Sequence, residues 1–287
     1  MIQHRLETGV SQVFLGSNPD DLEAFRGIIH EFYARMRRPM PWRDEITPYR
    51  VVVSELMLQQ TQVPRVMEKF PLFISRFPDF SSLADAPLAD VLGAWQGLGY
   101  NRRAKYLHGL ARSVVDDWNG ILPTEPEILI TFPGIGRATA GSIAVFAFNK
   151  PVIFIETNIR RVFIHHFFAD GEKIADSDIH PLVETTIDRA NPREWYYALM
   201  DYGTWLARRV ENPNRKSRHY SRQSAFEGSD RQIRSKLLRR LLDEKRTLLE
   251  VLIQSSGEDT QRVRRILAGM IQDGLLYESN GIVTVAE

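Results

Sequence analysis

The 287-residue chain has no cysteine. That excludes a disulfide framework, a Cys-ligated zinc site and a Cys-ligated iron–sulfur cluster. Long apolar runs are also missing. The longest, 141–155, is interrupted by Asn149-Lys150-Pro151 and cannot span a bilayer. No N-terminal segment joins a basic start, an apolar middle and a small-residue cleavage site, so a cytoplasmic location without membrane contact is expected. Net charge is nearly absent, at +1. Period-two alternation is scarce before residue 270, which points to an all-α body. Seven histidines are scattered. The one pair, His165-His166, is adjacent and so faces two sides of a helix, which favours packing over a bound metal.

Ordinary shares of hydrophobic (43%) and charged (25%) residues leave a soluble globular class, long enough for more than one module. The charge is unevenly spread. Thr204 to Arg240 holds eleven basic residues, among them Arg208, Arg209, Arg215, Lys216, Arg218 and Arg222, against the acids Glu211, Glu227 and Asp230. This is a candidate phosphate-binding face or, equally, a solvated helix and linker.

Helical periodicity runs through the body. Asn18-Pro19 reads as a cap with proline at the first helical position, followed by a helix to about Arg37. Further helices are expected at 49–58, 63–77, 90–96, 102–118, 125–131, 137–148, 158–168, 178–189 and 193–209. A polar, basic linker occupies 211–228. A small module at 229–287 reads as three helices (231–242, 248–253, 260–273) and then a hairpin with Asn280-Gly281 in its turn. This order is winged-helix-like.

The most telling stretch is Phe132-Pro133-Gly134-Ile135-Gly136-Arg137-Ala138-Thr139-Ala140-Gly141. Two glycines flank one apolar residue just before a helix-forming run. Glycine turns and helix N-termini favour anions, because amide donors and the helix dipole act together. Two acids stand apart from it: Glu156, seventeen residues after Thr139 and just past the apolar Ile153-Phe154-Ile155, and Glu55 among Leu56, Met57 and Leu58. A phosphate-gripping turn with two separated carboxylates suggests acid chemistry on a nucleic acid.

Several segments in a fixed order resemble the helix-hairpin-helix DNA glycosylase superfamily, and within it the MutY-type adenine glycosylases. They are Pro41-Trp42-Arg43, Ser54-Glu55 through Gln62-Val63, Trp95 through Tyr100, Arg103-Ala104, Pro133 through Gly136, Asn158 through Val162, and Leu199 through Gly203. The resemblance spans about 41–203 and implies a two-lobed helical glycosylase domain over 1–210. The tail resembles an extension found in some MutY-like proteins rather than a module that reads 8-oxoguanine.

The resemblance implies a base-excision repair enzyme that removes adenine opposite guanine or 8-oxoguanine in double-stranded DNA and works as a monomer. Glu55 would be the general acid that protonates adenine, and Glu156 the anionic partner that steadies the sugar cation. The family places an aspartate at position 156, so the glutamate is a departure. Gln59 and Gln60 would wedge into the gap left by the flipped base. Gly134, Gly136, Arg137 and Thr139 would hold a phosphate, with a monovalent cation at the hairpin carbonyls. Trp42 and Tyr197 would line the base pocket, although the adenine branch usually has glutamine at position 197. Asp201 would cap a helix. Relatives that nick the strand carry lysine where this chain has Ala138, so a monofunctional enzyme is expected. The family's four cluster-binding cysteines are absent from 205–223, and Arg215 and Lys216 would supply positive charge to DNA there instead. The alternatives are a thymine or uracil glycosylase for G·T and G·U mispairs, for which Glu156 and Tyr197 leave room while the Glu55 segment favours adenine, and a non-catalytic DNA-binding relative.

Overall fold

The computed structural model describes residues 15–168, 170–221 and 225–286. Fifteen α-helices are assigned in it. They are α1 (Pro19–Met36), α2 (Pro41–Asp44), α3 (Pro48–Leu58), α4 (Val63–Arg76), α5 (Phe80–Ala84), α6 (Leu88–Ala94), α7 (Arg102–Trp118), α8 (Pro126–Leu129), α9 (Arg137–Phe148), α10 (Thr157–Phe167), α11 (Asp176–Thr186), α12 (Pro192–Leu206), α13 (Asp230–Glu244), α14 (Leu249–Gln254) and α15 (Thr260–Gln272). A 3₁₀ turn covers Pro213–Lys216, and three strands complete the list: β1 (Arg246–Leu248), β2 (Leu276–Ser279) and β3 (Ile282–Val285). The all-α reading holds, with the small sheet confined to the C-terminal region. Among the described residues no helix is long and apolar enough to cross a membrane.

Local chemistry explains the starts and stops. Asn18 accepts the Asp21 amide and Pro19 takes the first position of α1. Thr47 caps α3 through the Arg50 amide, ahead of Pro48. Helices α7 and α9 end at Asn119 and Asn149, both left-handed, as asparagine tolerates better than most residues. Two short helices, α2 and α5, have no sequence periodicity to announce them. The second is fixed by a capping box between Asp79 and Ser82.

The chain divides into two compact units that interleave in sequence, with one junction between Ile135 and Gly136, inside the glycine stretch. The first unit takes 1–40 and 136–222. Its core gathers around Phe25, which meets Phe163, Phe167, His166 and Trp195 at 5.1 to 6.1 Å between ring centres. His165 and His166 are both buried, and His166 Nε2 lies 3.0 Å from the Tyr202 hydroxyl. Asp201 is buried within α12. It accepts the Arg38 amide at 3.0 Å and the guanidinium at 2.8 and 2.7 Å, tying the chain just after α1 to α12.

The second unit takes 41–135 and 223–287. Val52, Leu56, Met57, Val66, Phe70, Phe73, Trp95, Leu107 and Leu110 form its main core. Within the C-terminal region Leu238, Leu241, Val263, Met270 and Val283 pack together as a second cluster. The sheet is antiparallel with order β1-β3-β2. Asn280 and Gly281 turn the expected hairpin with φ of 51° and 76°, the double positive φ of a type I′ turn. Strand β1 is an addition to the expected module. Three residues carry too little pattern to read from sequence.

Candidate active site

Glu156 is the N-cap of α10. Its Oε1 accepts the Asn158 amide at 2.7 Å and the Ile159 amide at 3.0 Å, while Asn158 Nδ2 reaches Oε2 at 3.4 Å. Asn158 in turn receives Arg161 Nη1 at 2.6 Å, and the same nitrogen donates to the Gly203 carbonyl. Gly203 has to be glycine here, because a Cβ would sit 2.6 Å from the Asn158 carbonyl oxygen. Burial pushes the Glu156 carboxyl above its ordinary range. The two amides and the charges of Arg161 and Arg160 pull the other way without cancelling it. Arg160 is also held in a two-pronged pair with Asp176 at 2.7 Å. The first unit thus sets one poorly hydrated carboxyl at a helix N-terminus, which favours its anionic form, and that anion is the group able to stabilise a positive charge beside it.

Glu55 belongs to the second unit and is half-buried on α3, between buried Ser54 and Leu56. The helix ends at Leu58, one residue beyond Met57. Its last carbonyls are gripped by a residue that the sequence patterns leave without a role, Arg103. Arg103 Nη1 donates to Leu56 O at 2.6 Å and Met57 O at 2.9 Å. Nη2 donates to Thr61 Oγ1, Leu98 O and Gly99 O at 2.9 to 3.0 Å. A buried guanidinium on an apolar helix face is the available signal. Burial lowers its pKa to about 10, so it stays charged at neutral pH. A charged donor shared by five acceptors fixes both the end of the Glu55 helix and the loop after it.

That loop carries the two glutamines. Gln59 Nε2 donates to the Gly134 carbonyl at 3.2 Å, so the structure brings Gln59 to the glycine turn. Gln60 is exposed, at φ 53°. Gly134 has φ 77°, and a Cβ there would lie 2.7 Å from Tyr106 Cδ2 and 2.9 Å from Tyr106 Cβ. Gly136 has an ordinary φ of −89° and open space around it, and it is the N-cap of α9 without a side-chain cap. Arg137, Ala138 and Thr139 are the first residues of that helix, where amides lack carbonyl partners within the helix. Gly134→Ala should therefore cost about 1–3 kcal/mol through the left-handed backbone alone. A thermal unfolding midpoint unchanged from the parent would refute that. Gly136→Ala should be nearly neutral in the same measurement.

Trp42 is buried edge-on to Phe70, 5.6 Å between centres. Tyr197 is buried and stacked on Phe146 at 4.5 Å, nearly parallel. Arg215 pairs with Glu211 at 2.8 Å, and Lys216 Nζ donates to the Phe168 carbonyl at 3.3 Å. Arg222 lies outside the described residues. The segment around them is fastened by polar groups. Asn214 Nδ2 donates to Thr157 O at 3.0 Å, and Ile174 exchanges backbone bonds with Lys216 and Arg218. With no cysteine in the chain, nothing here fits a Cys-ligated cluster. Among the described residues no group of His, Asp or Glu gathers as a metal site. At the hairpin, Phe132 O accepts Ile135 N–H and Gly134 O accepts Gln59. Each carbonyl keeps one lone pair that a monovalent cation could use.

The model of the HhH-GPD superfamily base excision DNA repair protein family matches residues 53–183. An adenine DNA glycosylase of Mycobacterium tuberculosis is 37% identical over 227 residues, covering 72% of this chain and 75% of that protein. The chain belongs to this glycosylase family. An adenine DNA glycosylase of Mycolicibacterium smegmatis is 33% identical over 283 residues, covering 86% of this chain and 91% of its own length. Among solved structures, a thermostable thymine-DNA glycosylase superposes with a TM-score of 0.58 at 25% identity, over 63% of this chain and 85% of that one.

Proposed function

We propose that the chain is a monofunctional DNA N-glycosylase of base-excision repair that excises adenine mispaired with guanine or 8-oxoguanine. Family membership supports the DNA glycosylase activity and the adenine substrate. The geometry of Glu156 supports the chemistry. A carboxylate held by two amides in a poorly hydrated setting is what an oxocarbenium-like sugar needs beside it. Glu55 is the second carboxyl. It donates a proton to the adenine ring of the flipped nucleotide, and the C1′–N bond then breaks with its electron pair leaving on the neutral base. Glu156 stabilises the sugar cation until water adds to C1′ and gives up a proton, leaving an abasic site.

The glycine turn and the first amides of α9 serve the DNA backbone, with Arg137 and Thr139 at that helix start, and Arg215 and Lys216 contribute positive charge toward DNA from the 3₁₀ segment. Gln59 and Gln60 fill the gap left by the base, and Trp42 and Tyr197 shape its pocket. Ala138 offers no amine, so no Schiff base forms and the strand is not nicked. The enzyme works as a monomer without an iron–sulfur cluster.

The superposition on a thymine-DNA glycosylase favours one second reading, removal of thymine or uracil from G·T and G·U mispairs. Single-turnover assays on duplexes carrying A, T, U or hypoxanthine opposite G or 8-oxoguanine, with alkali to reveal abasic sites, decide between them. Adenine should be released at least tenfold faster than any pyrimidine. Release of T or U without A would overturn the adenine reading.

A further inference from the structure

Residues 229–287 follow the helix and strand order of modules that lay one helix in a DNA groove. The side chains here are committed elsewhere. On α15, Arg262 pairs with Asp230 at 2.7 Å, Arg264 with Glu250 at 2.7 Å, and Arg265 lies 3.5 Å from Asp230. The module carries ten basic and nine acidic residues, close to neutral, whereas backbone binding to DNA relies on excess positive charge.

What the module grips is the start of α7. Asp273, just past α15, accepts Arg234 from within the module at 2.6 Å and Arg102 from α7 at 3.1 Å. Its backbone carbonyl accepts Lys105 Nζ at 2.8 Å. Gly274, with φ 64°, leaves room for that lysine, which any Cβ would strike. From α13, Arg231 donates to the Tyr100 hydroxyl at 2.8 Å and sits 5.5 Å from the centre of its ring. Tyr100, Arg102 and Lys105 flank Arg103, which holds the last carbonyls of the Glu55 helix. All of these residues lie in the second unit.

We propose that the C-terminal module is a brace built into the chain: through Arg231 and Asp273 it pins the start of α7, and so fixes Arg103 against the end of the helix that carries Glu55. Arg231 and Asp273 are positioning residues. The inference rests on the reading of Glu55 as the acid, and its test separates the two.

The full-length double variant Arg231→Ala, Asp273→Ala is compared with the parent by single-turnover excision, affinity for abasic-product duplex and amide hydrogen exchange. Excision should slow about tenfold, within what a displacement of up to an ångström does to a reacting group, while affinity changes less than twofold. Amides of 56–61 and 97–104 should exchange at least tenfold faster, with those around Leu252 and Leu267 unchanged. General loosening of the fold would not produce that local pattern. Unchanged exchange at 56–61 overturns the brace. So does a tenfold loss of affinity with normal excision of bound duplex, which would make the module a DNA reader. Should the double variant fail to fold, Tyr100→Phe removes only the hydroxyl and should still speed exchange at 97–104; no change there overturns the brace as well. Glu55→Gln serves as the separate arm. Normal excision by it sinks the acid assignment, and the exchange data still decide the brace.

Discussion

Glu55→Gln should bind mispaired duplex as the parent does and excise adenine about 10²–10⁴-fold more slowly, the usual contribution of a positioned general acid. Glutamine matches glutamate in size and can still accept a hydrogen bond, but it has no proton to transfer. Without ring protonation adenine leaves as an anion, and the barrier rises by the cost of that charge. Glu55 sits half-buried on α3, among neighbours whose side chains face the core, so the substitution leaves packing intact. The comparison needs single-turnover rates with enzyme in excess, since slow product release would hide the chemical step. A rate within tenfold of the parent would place the acid elsewhere. Because Arg103 holds the carbonyls of Leu56 and Met57, the acid's position depends on a guanidinium nearly fifty residues away in sequence.

That dependence marks the boundary of what the sequence discloses. Helices longer than two turns are legible because their apolar stripes repeat at 3.6 residues and their ends carry Asn18-Pro19, Thr47-Pro48 or Asn149 as punctuation. The Asn280-Gly281 hairpin is legible for the same local reason. Helices of four or five residues and the three-residue β1 are not, since their pairing is set by distant chain. The site divides likewise. The glycine turn and the two carboxylates announce themselves by residue type and context. The residues that hold them do not: Arg103, Arg161 and Asn158 act through contacts separated by as many as 47 positions. Basic residues mislead in the opposite direction. Of the excess between Thr204 and Arg240, Arg215, Lys216, Arg231, Arg234 and Arg240 all have partners within the chain, which charge counting cannot foresee.

Glu156→Gln carries the second large effect, and it separates stability from catalysis. The amide oxygen of glutamine can keep accepting from Asn158 and Ile159, so the cap on α10 survives. The negative charge does not, and the loss of one preorganised electrostatic partner should slow excision about 10²–10³-fold. Stability should move the other way. Burial raises the carboxyl's pKa in the folded protein, so the folded state binds this proton more tightly than the unfolded chain. Stability therefore declines as pH rises from the ordinary carboxylate range through the raised folded value, and the full cost is present above it. Glu156→Gln removes that cost. Its unfolding midpoint at pH 7 should match or exceed the parent's, with the gap closing as pH falls toward the ordinary carboxylate range. The same raised pKa sets the acid limb of excision, because only the anion steadies the sugar. That limb should lie at higher pH than an ordinary glutamate would give, with Arg160, Arg161 and Asp176 as the charged groups facing the site. A variant that excises normally would strip Glu156 of its role. One that unfolds well below the parent at pH 7 would show that the charge is kept for the helix cap rather than for the chemistry.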